Sequence, residues 1–323
     1  MIDKLGRSID YMRISVTDRC DLRCTYCMPA DGVAPLRHSE VLSFEEIVRI
    51  VKLASALGVK KVRLTGGEPL VRLGLPTLIS QLKAIDGIEW VVLTTNGILL
   101  SENLPELVSA GVDGVNISID AIDEDVFERV TRRSGVSKVL NSIDAALRYP
   151  QLKVKLNCVP MLANSSQILP MAERFLSDER LSLRFIELMP IGLGGEETGI
   201  SEDALRAMLE EKFGEMTPLK HELLCGPCRY YKLEKLKGKV GFISAVSSCF
   251  CQSCNRVRLT SSGFLKTCLQ FDRGVELRPL LNGTDEAILS AMKQAIWDKP
   301  EHHVFTEQGG SSLEQRIMSQ IGG

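Results

Sequence analysis

Between Tyr11 and Met189 the chain alternates two hydrophobic rhythms. YMRISVT, KKVRLTG, WVVLTTN, GVNISID, LKVKLNCV and LRFIELM are short β-rich runs that predict six strands. The stretches between them, such as SFEEIVRIVKLASALG and SENLPELVSAG, space apolar residues at three and four, start with Ser and end with Gly. They predict capped amphipathic helices. Alternating β and α elements imply an α/β fold on a parallel sheet, either an open doubly wound sheet or a full or partial barrel. The unusual residues all follow the strands: DRCDLRCTYC the first, GGEP the second and TTNG the third, while SID closes the fourth and Met189-Pro190 follows the sixth. In a barrel those strand ends share one face, where active sites are built. Beyond Met189 the rhythm breaks at Gly192, Gly194 and Gly195, SEDALRAMLEEKFG has helical spacing, and short strands with a cysteine-rich stretch follow. The expected division is a core of residues 1–224 and a smaller C-terminal domain of residues 225–323.

The chain has 323 residues, 44% of them hydrophobic, enough for one large domain with an appendage. Lys plus Arg, 39, nearly balances Asp plus Glu, 41, so there is no bulk attraction for nucleic acid or an anionic membrane. The first residues lack the apolar core of a signal peptide, and no apolar run approaches the ~20 residues of a membrane span. A cytoplasmic location is expected. In that reducing compartment clustered cysteines point to metal ligation or thiol chemistry rather than disulfides.

Cys20, Cys24 and Cys27 form CxxxCxxC on the loop after the first strand. A structural zinc site takes four protein ligands, and ferredoxin-type spacings also recruit a fourth cysteine. Three thiolates on a cubane 4Fe-4S cluster leave one iron open to an outside ligand. A zinc knuckle with its fourth ligand elsewhere is the alternative. Cys251, Cys254 and Cys268 repeat the count of three, but Cys225 and Cys228 with Cys251 and Cys254 also make two CxxC pairs able to clasp zinc. Cys158, inside the apolar KLNCVP run, reads as a small buried hydrophobe.

CxxxCxxC with Tyr26 before the third cysteine, together with Gly66-Gly67-Glu68-Pro69, resembles the signature of the radical S-adenosylmethionine (SAM) superfamily. The paired glycines are read as letting the backbone approach a ligand and offer it bare amide and carbonyl groups. CxxCNRxRLTxxGxLxxCL from Cys251, DRCDLRCTYCMP, RFIELMP and the closing MSQIGG extend the resemblance along the chain to the GTP 3′,8-cyclases, which begin molybdenum cofactor biosynthesis.

That resemblance implies a partial (β/α)6 TIM-type barrel with a smaller C-terminal domain binding a second iron-sulfur cluster. One 4Fe-4S cluster would sit on Cys20, Cys24 and Cys27 and chelate SAM, with Tyr26, Gly66, Gly67, Glu68, Ser118 and Met189 around it. The second, on Cys251, Cys254 and Cys268, would hold the guanine of GTP. The family's GTP contacts fall on Arg13, Arg63, Thr94 (or Thr95), Lys155, Arg256, Val257 and Arg258, and a tail ending Gly322-Gly323 threads into the site; Arg256, Arg258 and the two glycines are the expected catalytic set. The implied lyase reaction uses an external electron donor. A deoxyadenosyl radical removes hydrogen from the ribose 3′ carbon, and attack on guanine carbon 8 gives (8S)-3′,8-cyclo-7,8-dihydroguanosine 5′-triphosphate. A separate synthase then makes cyclic pyranopterin monophosphate. A homodimer is implied.

The residues themselves support an anion site, because a chain of net charge -2 must gather local positive charge to hold a triphosphate. Arg13 and Arg63 alternate with apolar neighbours and so face a barrel interior. His38, His221, His302 and His303 show no ligand spacing and are expected at the surface or in loops. Cys225, Cys228 and Cys249 are extra thiols near the second group without an expected ligand role. A peptide-modifying radical SAM enzyme and a zinc-stabilised RNA-binding protein are the rival readings; the former needs no arginine set, and the latter calls for basic aromatic tracts.

Overall fold

The computed structural model describes residues 1–220, 226–305, 314 and 316–322. The boundary expected at Leu224 lies outside the described residues, as do His221, Cys225 and Gly323.

All six expected strands form: β1 (Tyr11–Ser15), β2 (Lys61–Thr65), β3 (Trp90–Thr95), β4 (Gly114–Ser118), β5 (Lys153–Cys158) and β6 (Ser182–Ile186). Each pairs in parallel with the next, in sequence order. Winding in one direction, without the reversal of a doubly wound sheet, makes this a partial (β/α)6 barrel. Met12, Ile14, Val62, Leu64, Leu93 and Ile117 are fully buried in the main core, while Arg63, Asn116, Asn157 and Arg184, in the alternate register, line an interior cavity.

The helix Phe44–Ala56 starts as its sequence predicts: Ser43 Oγ accepts from the Glu46 amide at 3.2 Å, and the Glu46 carboxylate accepts from the Ser43 amide at 2.6 Å. The helix over SENLPELVSAG instead begins at Leu100, one residue early. The Ser101 amide is satisfied by Ser142 Oγ at 2.9 Å, from the neighbouring helix Val136–Ala146, so the first turn needs no local cap.

The later strands are β7 (Met216–Pro218), β8 (Arg229–Leu233), β9 (Lys239–Ile243), β10 (Arg256–Leu259), β11 (Phe264–Lys266) and β12 (Gly274–Glu276). β9 adds parallel to β6 and β10 adds parallel to β1, so both edges of the six-stranded core are extended and, among the described residues, one sheet of 12 strands results. The register along β10, β1 and β2 sets Arg258 beside Arg13 beside Arg63, and Arg256 beside Tyr11 beside Lys61. Among the described residues no helix is long and apolar enough to cross a membrane.

Candidate active site

One cavity of about 340 Å³ opens among the strand ends, and Cys20, Cys24, Cys27, Cys254 and Cys268 all line it. The first cysteine loop is sewn to the loop after β2: the Gly67 amide donates to Thr17 O at 2.8 Å and the Glu68 amide to Arg19 O at 2.7 Å. A Cβ on Gly66 or Gly67 would run into those same carbonyl oxygens. The glycines therefore let two loops touch, and the Gly67 amide, expected to face a ligand, is already used. Gly67→Ala is expected to push the cysteine loop aside and lower iron content after anaerobic reconstitution by more than half, while the circular dichroism of the barrel is kept.

Glu68 is buried and accepts from Leu70 N at 3.0 Å, Thr95 Oγ1 at 2.8 Å and Asn96 N at 2.7 Å; burial pushes it up to about 7 despite those bonds. Tyr26 donates to Asp120 Oδ2 at 2.8 Å, and Val159 N donates to Asp120 Oδ1 at 2.8 Å. Ser118 and Met189 also border the cavity. Burial raises the Cys20 and Cys27 thiols to about 12 and holds Cys24 well above its usual value. Thiolates there need a cation to balance them, which a metal centre supplies. Donor atoms on a single tetrahedral zinc sit about 4 Å apart or less. Among the described residues Cys249, Cys251 and His303 bring their donor atoms within 4.8 Å of one another, a little beyond that limit, whereas three thiolates on a 4Fe-4S cluster each sit on their own iron.

Beside the second group the electrostatics reverse. Burial alone would raise Cys254, but Arg256 and Lys299 outweigh it and bring the thiol down to about 6. Lys299, buried after the helix Asp285–Trp297, donates to Arg256 O at 3.0 Å and to Thr267 O. Cys251 opens the short turn Cys251–Ser253 next to the cavity wall.

The β10, β1, β2 register fills the space between the cysteine groups with guanidinium. Burial and then Arg258 push Arg13 well below its usual value, and burial and then Arg256 bring Arg258 to about 10. Tyr11 hydrogen-bonds Arg63; burial would raise it, but Arg63, Arg13 and Lys61 bring it to about 7. Its unfolded value is 10, so from about pH 7 to 10 the unfolded chain carries the extra proton and stability rises with pH. One tyrosine of five is thus expected to ionise near neutrality in a tyrosinate absorbance titration, and triphosphate, by neutralising the arginines, to move it upward.

Thr94 Oγ1 accepts from Arg63 at 2.9 Å and faces this row, whereas Thr95 serves Glu68. Val257, between Arg256 and Arg258, turns into the core. Lys155 lies off the cavity wall with its ammonium 5.5 Å from the Tyr230 ring. Gly322 O accepts from Arg258 at 3.1 Å and Arg13 at 3.5 Å, so the tail reaches the basic row. A buried Lys266–Glu314 ion pair, joined by Arg316 to Glu314 at 3.0 Å and to Asp272, fastens that tail. Breaking the pair costs about 3–5 kcal/mol by stranding a buried charge. Lys266→Met should therefore release the tail, read as at least tenfold faster protease cleavage after Arg316.

Residue patterning missed Lys61, Arg184 and Lys299, which also border the cavity. Arg184, buried on β6, hydrogen-bonds Asn157 Oδ1; its place inside RFIELMP, alternating like Arg13, was the available signal. His303, expected at the surface or in a loop, lies in a loop, half-buried, and also lines the cavity, because residues 299–301 are drawn in by Arg7. His38 and His302 are exposed as expected, and Cys158 is fully buried in the core. Cys228 is buried and Cys249 exposed.

Fold and site together define a radical SAM enzyme. Residues 14–174 match the radical SAM superfamily and residues 181–305 match Molybdenum Cofactor Synthesis C. The chain is similar to the structure of Streptococcus suis SuiB bound to S-adenosylmethionine, with a TM-score of 0.66 at 13% identity, covering 91% of this chain and 66% of that one, just under two thirds of its length. It is 43% identical over 326 residues to a GTP 3′,8-cyclase of Clostridium perfringens and 44% identical over 329 residues to one of Syntrophomonas wolfei, each match covering 100% of both chains. The chain belongs to the GTP 3′,8-cyclase family.

Proposed function

We propose that this chain converts GTP to (8S)-3′,8-cyclo-7,8-dihydroguanosine 5′-triphosphate, the first step towards the molybdenum cofactor. The observation that carries the reading is the in-register row Arg258, Arg13 and Arg63, a stack of like charges with Arg63 and Arg258 buried and Arg13 half-buried, in a cavity lined by Cys20, Cys24, Cys27, Cys254 and Cys268. Such a stack is stabilised when an anion of matching charge neutralises it. A triphosphate does so, with Arg256, Lys61 and Thr94 on the same cavity wall and Lys155 a neighbouring cation, beside Asn116 of that wall on the adjacent strand. A peptide substrate, as in SuiB bound to its precursor peptide, gives no reason for that row.

Cys20, Cys24 and Cys27 would hold the first 4Fe-4S cluster and Cys251, Cys254 and Cys268 the second. Bound there with SAM, the clusters supply the one-electron chemistry that starts the reaction. The protein's own part is placement. Tyr26, Gly66, Gly67, Glu68, Ser118 and Met189 form the SAM side, with Gly66 and Gly67 acting by bringing the two loops together. Val257 contributes through its backbone between two arginines. Arg256, Arg258 and the Gly322 carbonyl close the GTP side, and Gly323 completes the tail. Burial of the thiols and of Glu68 excludes water from the radical.

The finer partners are part of the same reading: an external electron donor, a homodimer, a cytoplasmic location, and a synthase that takes the product to cyclic pyranopterin monophosphate. So is the division at residues 224 and 225. The test is anaerobic reconstitution with iron and sulfide, an iron count, and a 5′-deoxyadenosine assay with SAM, reductant and either GTP or ATP. Two clusters with stimulation by GTP alone support the cyclase. Indifference to GTP, or one cluster beside bound zinc, overturns it.

A further inference from the structure

We propose that Cys249, Cys251 and His303 form a mononuclear site for a soft divalent cation such as Zn²⁺, distinct in its ligand set from either three-cysteine group. The two sulfurs and one imidazole nitrogen already lie within 4.8 Å of one another. A tetrahedral zinc with bonds of about 2.3 Å to sulfur and about 2.0 Å to nitrogen needs such donors about 3.5–3.8 Å apart, so a shift of about 1 Å closes the site. Two thiolates and an imidazole are the donors zinc prefers over hard cations.

A second observation points the same way. Both ring nitrogens of His303 are buried and have no hydrogen-bond partner among the described residues. A buried imidazole ordinarily satisfies at least one nitrogen, so a metal on one of them removes an unexplained cost. The ring is held against Phe305, with centroids 4.9 Å apart. Arg7 holds the two chain segments together, donating to Cys251 O at 3.0 Å, Pro300 O at 2.9 Å and Glu301 O at 3.1 Å. The histidine is thus presented to the cysteines by a fixed scaffold, and the three donors leave a fourth position open.

Cys251 belongs to both ligand sets. Zinc on Cys249, Cys251 and His303 therefore withholds Cys251 from the second cluster, and loading of the two is mutually exclusive. This competition rests on the reading of Cys251 as a cluster ligand; the zinc site does not.

The test uses the full chain prepared anaerobically without iron or sulfide and titrated with Co²⁺ and Zn²⁺. Wild type is expected to bind one tight equivalent with a thiolate-to-cobalt charge-transfer band. Cys249→Ser and His303→Gln should each weaken binding more than about 100-fold, beyond the 10–100-fold of outer-shell changes. Cys254→Ser and Cys268→Ser should bind as wild type. Wild-type affinity in both Cys249→Ser and His303→Gln, or loss in Cys254→Ser, overturns the site. Thermal melts of the metal-free variants matching wild type exclude misfolding as the cause. Zinc-loaded wild type should then accept one cluster, about four irons, and Cys249→Ser two. Two clusters in zinc-loaded wild type with zinc still bound overturn the competition. A second cluster absent from every zinc-free preparation overturns the cyclase reading, while the cobalt titration still decides the zinc site.

Discussion

Cys24→Ser is expected to abolish 5′-deoxyadenosine formation and to leave the chain with about half of its iron after reconstitution. Cys24 sits at the centre of the first cysteine loop, its thiol held far above the usual value by burial, then by Cys27 and Asp120. A serine hydroxyl fits the space but cannot become an anion there, so the site falls to two thiolates and no longer holds a cluster with a single open iron. The loop itself should survive, because the Cys24 carbonyl, which accepts from Cys27 N at 2.9 Å and Met28 N at 3.0 Å, belongs to the backbone. The cavity's basic row is also untouched, so the variant should still show a GTP-induced rise in melting temperature. Loss of deoxyadenosine with GTP binding kept separates the two halves of the site. Retention of more than about a tenth of wild-type cleavage would mean the first cluster is held elsewhere. Per-site losses in coupled catalytic groups are not additive, so a second cysteine variant should lose no more.

The core strands were legible because their alternation is local: each run carries its own buried face and its own polar face, as Met12 and Ile14 against Arg13 show. The cysteine groups were legible because ligand spacing survives without the fold. What stayed hidden was non-local. Nothing in RVRL marks it as the strand that pairs with YMRIS, and it is that pairing which turns Arg13 and Arg258 from separate charges into neighbours. Lys299 and His303 reach the site only because Arg7, near the N-terminus, binds carbonyls at residues 299–301. Gly66 and Gly67 were legible as positions where a missing Cβ matters, but their close approach to Thr17 and Arg19 of the cysteine loop depends on the fold and was not.

Arg13→Met should stabilise or leave unchanged the ligand-free chain and at the same time cut GTP affinity by about 30- to 5000-fold. Arg13 is the middle member of the row, with Arg258 on one side and Arg63 on the other. In the free protein its charge is opposed by burial and by those neighbours, which is why its proton is held weakly. Methionine fills the stem's volume and removes one of three adjacent like charges, which relieves their mutual repulsion. With GTP bound the balance inverts, since truncating one partner of a buried, hydrogen-bonded charge pair costs about 2–5 kcal/mol. The two effects separate in one melting experiment, because bound ligand raises stability by RT ln(1 + [L]/Kd). The variant's GTP-free melting temperature should equal or exceed wild type, and its GTP-induced shift should nearly vanish at GTP concentrations that saturate wild type. Arg13→Lys keeps the charge but not the planar fork and should fall between the two. A variant destabilised without GTP yet shifted normally by it would place the triphosphate elsewhere and leave Arg13 a structural residue of the barrel.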